Sequence, residues 1–116
     1  MRQAGVVAAA ALYAFDHHVE RLADDHARAR AIAQGLADAG LPVDVGATET
    51  NFVGVELEPL GLSPAEAKEL IAREGVLVSV LRPGVLRLAT YLGVTDDDVE
   101  QAVAAIPRAL GARVPA

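Results

Sequence analysis

The chain of 116 residues has no cysteine and no tryptophan, only two tyrosines and two phenylalanines, and a single lysine, Lys68. Without cysteine, disulfides, thiolate nucleophiles and cysteine-based zinc sites are excluded, and the fold must rest on packing alone. Cations are scarce as well: 10 Lys+Arg against 16 Asp+Glu leave a net charge of −6. With 3% aromatic residues, that surface offers neither phosphate-neutralising charge nor stacking rings, so nucleic acid is not an expected partner. Long apolar runs are also lacking. The longest without glycine is Val6 to Phe15, short of the ~20 residues that a membrane-spanning helix requires. Preceded by Arg2, this run imitates a secretory signal, but it lacks a developed basic region and a small-x-small cleavage site before Asp16. The expected setting is therefore cytoplasmic and away from membranes, and the length allows one compact domain at most.

What the chain does have is 53% apolar residues, arranged in helical and alternating patterns. Ala4 to Phe15 is made of good helix formers with no polar face, so a helix here needs cover on every side. After the polar break Asp16-His17-His18, the residues Val19, Leu22, Ala29, Ile32, Ala33 and Leu36 recur at helical spacing, with Gly40 and Pro42 as a stop. Val43 and Val45, then Phe52 to Leu57, predict one or two strands. Ser63, Pro64 and Glu66 form a capping box that starts a helix at Pro64, burying Ala67, Leu70 and Ile71 and ending at Gly75. Val76 to Leu81 and Val85 to Thr90, split by Arg82-Pro83-Gly84, read as an antiparallel hairpin. Thr95 and Asp98 cap a last helix with a stripe of Val99, Ala102, Val103, Ile106 and Leu110, which Pro107 should kink or shorten. The pattern is α+β, an antiparallel sheet with helices on one face. A two-layer domain of this size cannot enclose the first helix, so either more protein belongs around it or the chain forms a homo-oligomer.

Few residues suggest chemistry. His17, His18 and His26 lie among Asp16, Asp24 and Asp25, but none of their spacings reproduces a metal-ligand pair on a helix face, so no metal site is expected. Lys68 falls on the outward side of its helix between Glu66 and Glu69, a screened surface charge rather than a Schiff-base amine. Arg87 sits within Val85-Leu86-Arg87-Leu88-Ala89-Thr90. Its planar fork on a rigid strand suits bidentate capture of a carboxylate, although an arginine on the wet face of a two-layer sheet has the same pattern. Ser79, Arg82 and Tyr91 are polar neighbours at strand ends and specify nothing by themselves. No phosphate-binding glycine loop, Ser-His-Asp set or zinc-protease motif is present.

The opening MRQAGVVAAAALYAFDHHVERLADDHARARAIAQGLA, the ETN at Glu49 to Asn51, the GVLVS at Gly75 to Ser79 and the LRLATYLGVTDDDVEQAV at Leu86 to Val103 resemble the C-terminal part of the low-specificity threonine aldolases. These belong to the pyridoxal-phosphate-dependent β-eliminating lyases. The resemblance runs over nearly the whole chain and implies the small C-terminal domain of the aspartate-aminotransferase-like fold (fold type I). It also implies an enzyme that cleaves β-hydroxy-α-amino acids such as threonine to glycine and an aldehyde. Arg87 matches the family arginine that binds the substrate α-carboxylate, and Arg2 matches one that neighbours the cofactor site. The Schiff-base lysine, the ring-stacking histidine and most phosphate contacts of the family lie upstream of the MRQAG segment, so Met1 corresponds to an internal methionine of a longer enzyme. Where the family often has His and Asp, this chain has Tyr91 and Gly93.

The expected organisation is residues 1–40 as the apolar connecting helix plus an amphipathic helix, and 41–116 as a small α+β domain, with the large cofactor domain absent. On this reading the partners are a large cofactor-binding domain or second subunit and an amino-acid substrate. Pyridoxal phosphate is the family cofactor but is not held covalently here, and no residue of this chain is itself catalytic. The alternatives are a stand-alone amino-acid-binding module and an oligomerisation unit built on Val6, Leu12 and Phe15.

Overall fold

The computed structural model describes residues 2–111; Met1, which opens the MRQAG segment, and residues 112–116 of the expected small domain lie outside the described residues. In chain order the elements are α1 (Ala4–His17), α2 (Leu22–Asp38), β1 (Phe52–Glu56), a short 3-10 turn (Glu58–Leu60), α3 (Pro64–Arg73), β2 (Ser79–Arg82), β3 (Val85–Ala89) and α4 (Asp96–Leu110). The order is the one the sequence predicts. The three strands form an antiparallel sheet in the order β1-β3-β2, and α2, α3 and α4 cover one face of it.

The core follows from period two on the strands and period 3.6 on the helices. Val53 pairs with Leu88 and Val55 with Leu86 across β1 and β3. All four are buried against Ala29, Ile32, Ala33 and Leu36 of α2, Ala67 and Ile71 of α3, and Val99, Ala102, Ile106 and Leu110 of α4. Each fully buried Leu, Ile or Val among them stabilises the fold by roughly 1.5–3 kcal/mol relative to exposure.

Local signals place the helix ends. The Ser63 hydroxyl accepts the Glu66 N–H at 3.2 Å while the Glu66 carboxylate accepts the Ser63 N–H at 2.9 Å. Thr95 and Asp98 make the same reciprocal pair at 3.2 and 2.8 Å. At the other ends Gly40 and Gly75 adopt φ of 89° and 85°, the left-handed conformation that closes a helix without a Cβ penalty.

Four expectations are refined. Val43 and Val45 are in no strand; they pack half-buried against the core from a loop that is tied by the Asp44 carboxylate and carbonyl to Ala47 and Thr48, so only one strand precedes α3. The hairpin forms, but β2 begins at Ser79, because Val76 and Val78 turn toward the core while Leu77 is exposed. Val19 lies in the turn before α2 and is exposed, as is Leu22. Pro107 does not shorten α4, which runs to Leu110; in the last turn the ring forfeits only the hydrogen bond to the Val103 carbonyl.

α1 has no cover. None of its residues is buried, with Val6 73% and Phe15 74% exposed. It starts without a side-chain cap, from Gln3 at a φ of 53°. An apolar groove of about 280 Å³ runs between α1 and the start of α2, lined by Ala11, Ala14, Phe15, His18, Val19 and Leu22. Among the described residues no helix is long and apolar enough to cross a membrane.

Two stability measurements test this description. The Thr95 N–H and hydroxyl hold the Asp98 carboxyl below the ordinary carboxylate range. Its depressed folded pKa makes the contribution complete above the unfolded value of about 4 and lost as pH falls through the folded value. Asp98→Asn should therefore flatten the acid limb of the urea midpoint plotted against pH, and an unchanged limb would refute the assignment. At the α2–α4 crossing, a Cβ on Gly35 would lie 2.6 Å from Val103 Cγ1. Gly35→Ala should destabilise the domain, because overpacking of about 1–3 kcal/mol outweighs a helix-propensity gain of about 1 kcal/mol. A double-mutant cycle with Val103→Ala should show favourable coupling, and strict additivity would exclude close packing here.

Candidate functional site

Leu86 and Leu88 face the helices, so Arg87 between them projects from the helix-free face of the sheet. Its neighbours on that face are Gly54 across β1 and Ser79 across β2, with Phe52 and Glu56 further along β1. Arg87 is half-buried. Its Nε–H donates to Ser79 Oγ at 2.9 Å, and its Cζ lies 4.9 Å from the centroid of the Phe52 ring, a cation–π arrangement.

The charges around it are sorted. Arg21 pairs with Asp25, Arg28 with Asp96, Arg73 with Glu69, Arg82 with Glu56 and Arg108 with Glu74. Among the described residues Arg87 is the one arginine that is partly buried yet has no carboxylate partner; Arg2 and Arg30, also unpaired, are exposed. Beside it on the same face opens a hollow of about 380 Å³, lined in part by Thr48, Phe52, Gly54, Leu81, Arg82 and Val85.

A bulge in β2 builds this arrangement. Arg82 pairs with Val85, but Val80 pairs with Leu86 and Ser79 with Arg87, so the register slips by one residue at Leu81. An unbroken two-residue hairpin would set Ser79 opposite Leu88, on the helix-covered face; the bulge turns it to the open face instead. The far end of the sheet is fixed by Asn51, whose Nδ2–H donates to the Thr90 carbonyl at 2.7 Å. The Thr90 hydroxyl in turn donates to the backbone carbonyl of buried Asp25 at 2.6 Å.

The other sequence candidates do not join Arg87. Arg2 is an exposed residue ahead of α1, outside Arg87's contacts with Ser79 and Phe52. Lys68 is exposed on α3, in the helical layer and thus across the sheet from Arg87. The His17 ring stacks on Tyr13 at 4.1 Å between centroids and bonds its carbonyl through Nδ1 at 2.9 Å. Among the described residues no three His, Asp or Glu side chains are grouped to hold a metal ion. The Arg87 partners Ser79 and Phe52 are not legible in the sequence as site residues, since Ser79 depends on the register slip at Leu81 and Phe52 on the pairing of β1 with β3.

Tyr91 and Gly93 are coupled. Both line a second hollow, of about 430 Å³, near the start of α4. A Cβ at position 93 would come within 2.7 Å of the Tyr91 ring. A side chain at position 93 would therefore displace the Tyr91 ring, which is exposed, from the place it takes here.

The profile of the beta-eliminating lyase family matches residues 1–58. The chain is 39% identical over 102 residues to the probable low-specificity L-threonine aldolase 2 of Arabidopsis thaliana, covering 86% of this chain and 29% of that protein. It is 36% identical over 113 residues to the low specificity L-threonine aldolase of Escherichia coli strain K12, covering 97% of this chain and 32% of the relative. The chain thus spans about 30% of the length of the curated relatives it matches. Among solved structures, the crystal structure of Pyrococcus protein-A1 superposes with a TM-score of 0.62 at 20% identity, covering 78% of this chain and 24% of that one. That similarity shows a shared fold.

The family depends on pyridoxal phosphate. The described residues do not fit a complete site for it: the one lysine is solvent-exposed on α3, away from Arg87. With the family profile matching residues 1–58 of 116 and the small α+β domain of the aspartate-aminotransferase-like fold in place, the chain belongs to the beta-eliminating lyase family.

Proposed function

We propose that this chain supplies the substrate-anchoring small domain of a threonine-aldolase-like lyase that cleaves β-hydroxy-α-amino acids to glycine and an aldehyde, and that it is inactive alone. The observation that carries this reading is Arg87, partly buried and without a carboxylate partner among the described residues. Two parallel N–H groups of a guanidinium match the two oxygens of an amino acid's α-carboxylate, and holding that end fixes where the rest of the substrate lies. Pyridoxal phosphate supplies the electron sink in such enzymes, and its lysine would come from a large domain outside these 116 residues.

In this reading residues 1–40 carry the connecting helix α1 and the amphipathic α2, residues 41–116 form the small domain, and the assembly is a cytoplasmic homo-oligomer. The bare α1 supports the need for further protein: contiguous apolar surface of this kind marks an interface. It equally favours a second reading, an oligomerisation unit in which copies of α1 cover one another.

A chimera in which this chain replaces the matching C-terminal third of the Escherichia coli relative tests the first reading. It should bind the cofactor and cleave threonine. Arg87→Ala should raise KM for threonine by about a hundredfold or more, since two charge-assisted hydrogen bonds are lost, with Arg87→Lys intermediate. A cofactor-loaded, active chimera indifferent to Arg87→Ala would refute the assignment. For the second, sedimentation of the chain alone should show self-association that Leu12→Glu with Phe15→Glu abolishes; a wild-type monomer would count against it.

A further inference from the structure

Resting on the reading of Arg87 as a carboxylate anchor, we propose that Ser79 and Phe52 are positioning residues that leave one edge of its guanidinium, Nη1 with Nη2, open to receive the carboxylate end-on. A guanidinium can present a carboxylate with either of two kinds of edge: the terminal edge, or a side edge that includes Nε. Here the Nε–H is already given to Ser79 Oγ at 2.9 Å. The hydroxyl oxygen therefore presents a lone pair to Nε, and because Ser79 pairs with Arg87 across β2 and β3, this bond restrains the last torsions of the arginine. Phe52 lies against the guanidinium, with 4.9 Å between Cζ and the ring centroid. One flat face and the Nε edge are therefore occupied by the protein.

The register gives this geometry its cause. Ser79 reaches Arg87 only because β2 slips by one residue at Leu81, and bulges re-aim side chains in this way. Phe52 lies on the open face because it is two residues from Gly54, the partner of Arg87 on β1. An ion pair with a neighbouring carboxylate would hold the arginine equally still but consume the charge. A serine and an aromatic ring hold it and leave the charge for a ligand.

The side-chain Nε–H of Arg87 in the 15N-labelled chain, assigned by its disappearance in Arg87→Lys, reports this directly. Ser79→Ala should speed its exchange with water about tenfold, the effect of losing one hydrogen bond, while the backbone spectrum stays folded; Ser79→Thr, which restores a hydroxyl, should restore protection. Phe52→Leu should remove the ring-current shift on the Arg87 side chain, and Phe52→Tyr should keep it. In the active chimera, Ser79→Ala should raise KM for threonine roughly fivefold and leave kcat unaltered. Unchanged exchange in Ser79→Ala, or no rescue by threonine at position 79, overturns the proposal even if Arg87→Ala cripples substrate binding. Conversely, a chimera insensitive to Arg87→Ala removes the carboxylate role, with the Nε–H measurement still deciding whether Ser79 holds Arg87.

Discussion

Leu86 and Leu88 are both committed to the helix-covered side of the sheet, and that commitment leaves Arg87 no choice of direction. A slip of β3 by one residue would bury the guanidinium among α2, α3 and α4 and expose two leucines, a change costing several kcal/mol in apolar area alone. The core therefore does more than stabilise the domain. By locking the register of β3 against Val53 and Val55, it presents a cation from the opposite face on a backbone that cannot rotate away.

That opposite face differs in kind from the core face. It carries Arg87, Ser79, Glu56 and Arg82 with the Phe52 ring, and no helix among the described residues covers it. The Glu56–Arg82 pair spans β3 at 2.9 Å and is exposed on both sides, so it adds little stability; it does keep one carboxylate occupied close to Arg87. On the helical side, by contrast, the buried Asp25 is matched by Arg21 and its carbonyl by Thr90, as burial of polar groups requires. The domain has satisfied its interior and left one partly buried cation unpaired at its surface. α1 leaves a second kind of surface unsatisfied, apolar from Ala4 to Phe15. Both features fit the proposed reading, in which further protein lies against this domain.

How legible this was in the sequence depends on how local each signal is. The capping boxes at Ser63 and Thr95, the stops at Gly40 and Gly75 and the alternation around Arg87 involve residues within a few positions of one another, and each appears where its pattern places it. The absence of a polar face on α1 likewise pointed to a helix that the described residues leave exposed. What escaped was set by tertiary packing. Val43 and Val45 alternate like a strand but have no strand beside them, so their loop is held by Asp44 instead. Val76 and Val78 are strand-like in composition, yet they are drawn toward the core while pairing begins only at Ser79. Pro107 tolerates a helix because it falls in the last turn. Ser79 was invisible as a partner of Arg87 because a bulge is a one-residue insertion whose position no periodicity reveals, and Phe52 because the pairing of β1 with β3 joins segments far apart in the chain.

Tyr91 and Gly93 show how a local departure from a family pattern can still be internally consistent. The low-specificity threonine aldolases that the sequence resembles often carry His and Asp there, and a change at either position alone would appear to damage the pocket. In this fold the tyrosine ring occupies the space that any side chain at position 93 would need. Restoring an aspartate alone would force the ring out, whereas restoring a histidine alone would leave the space above Gly93 unfilled. The ring position seen here and a side chain at position 93 exclude one another. Both flank the hollow at the start of α4 on the helical side of the sheet, while Arg87 projects from the other side. The substitution therefore leaves the arginine's own contacts with Ser79 and Phe52 intact, and a difference in pocket chemistry at positions 91 and 93 does not by itself argue against a carboxylate at Arg87.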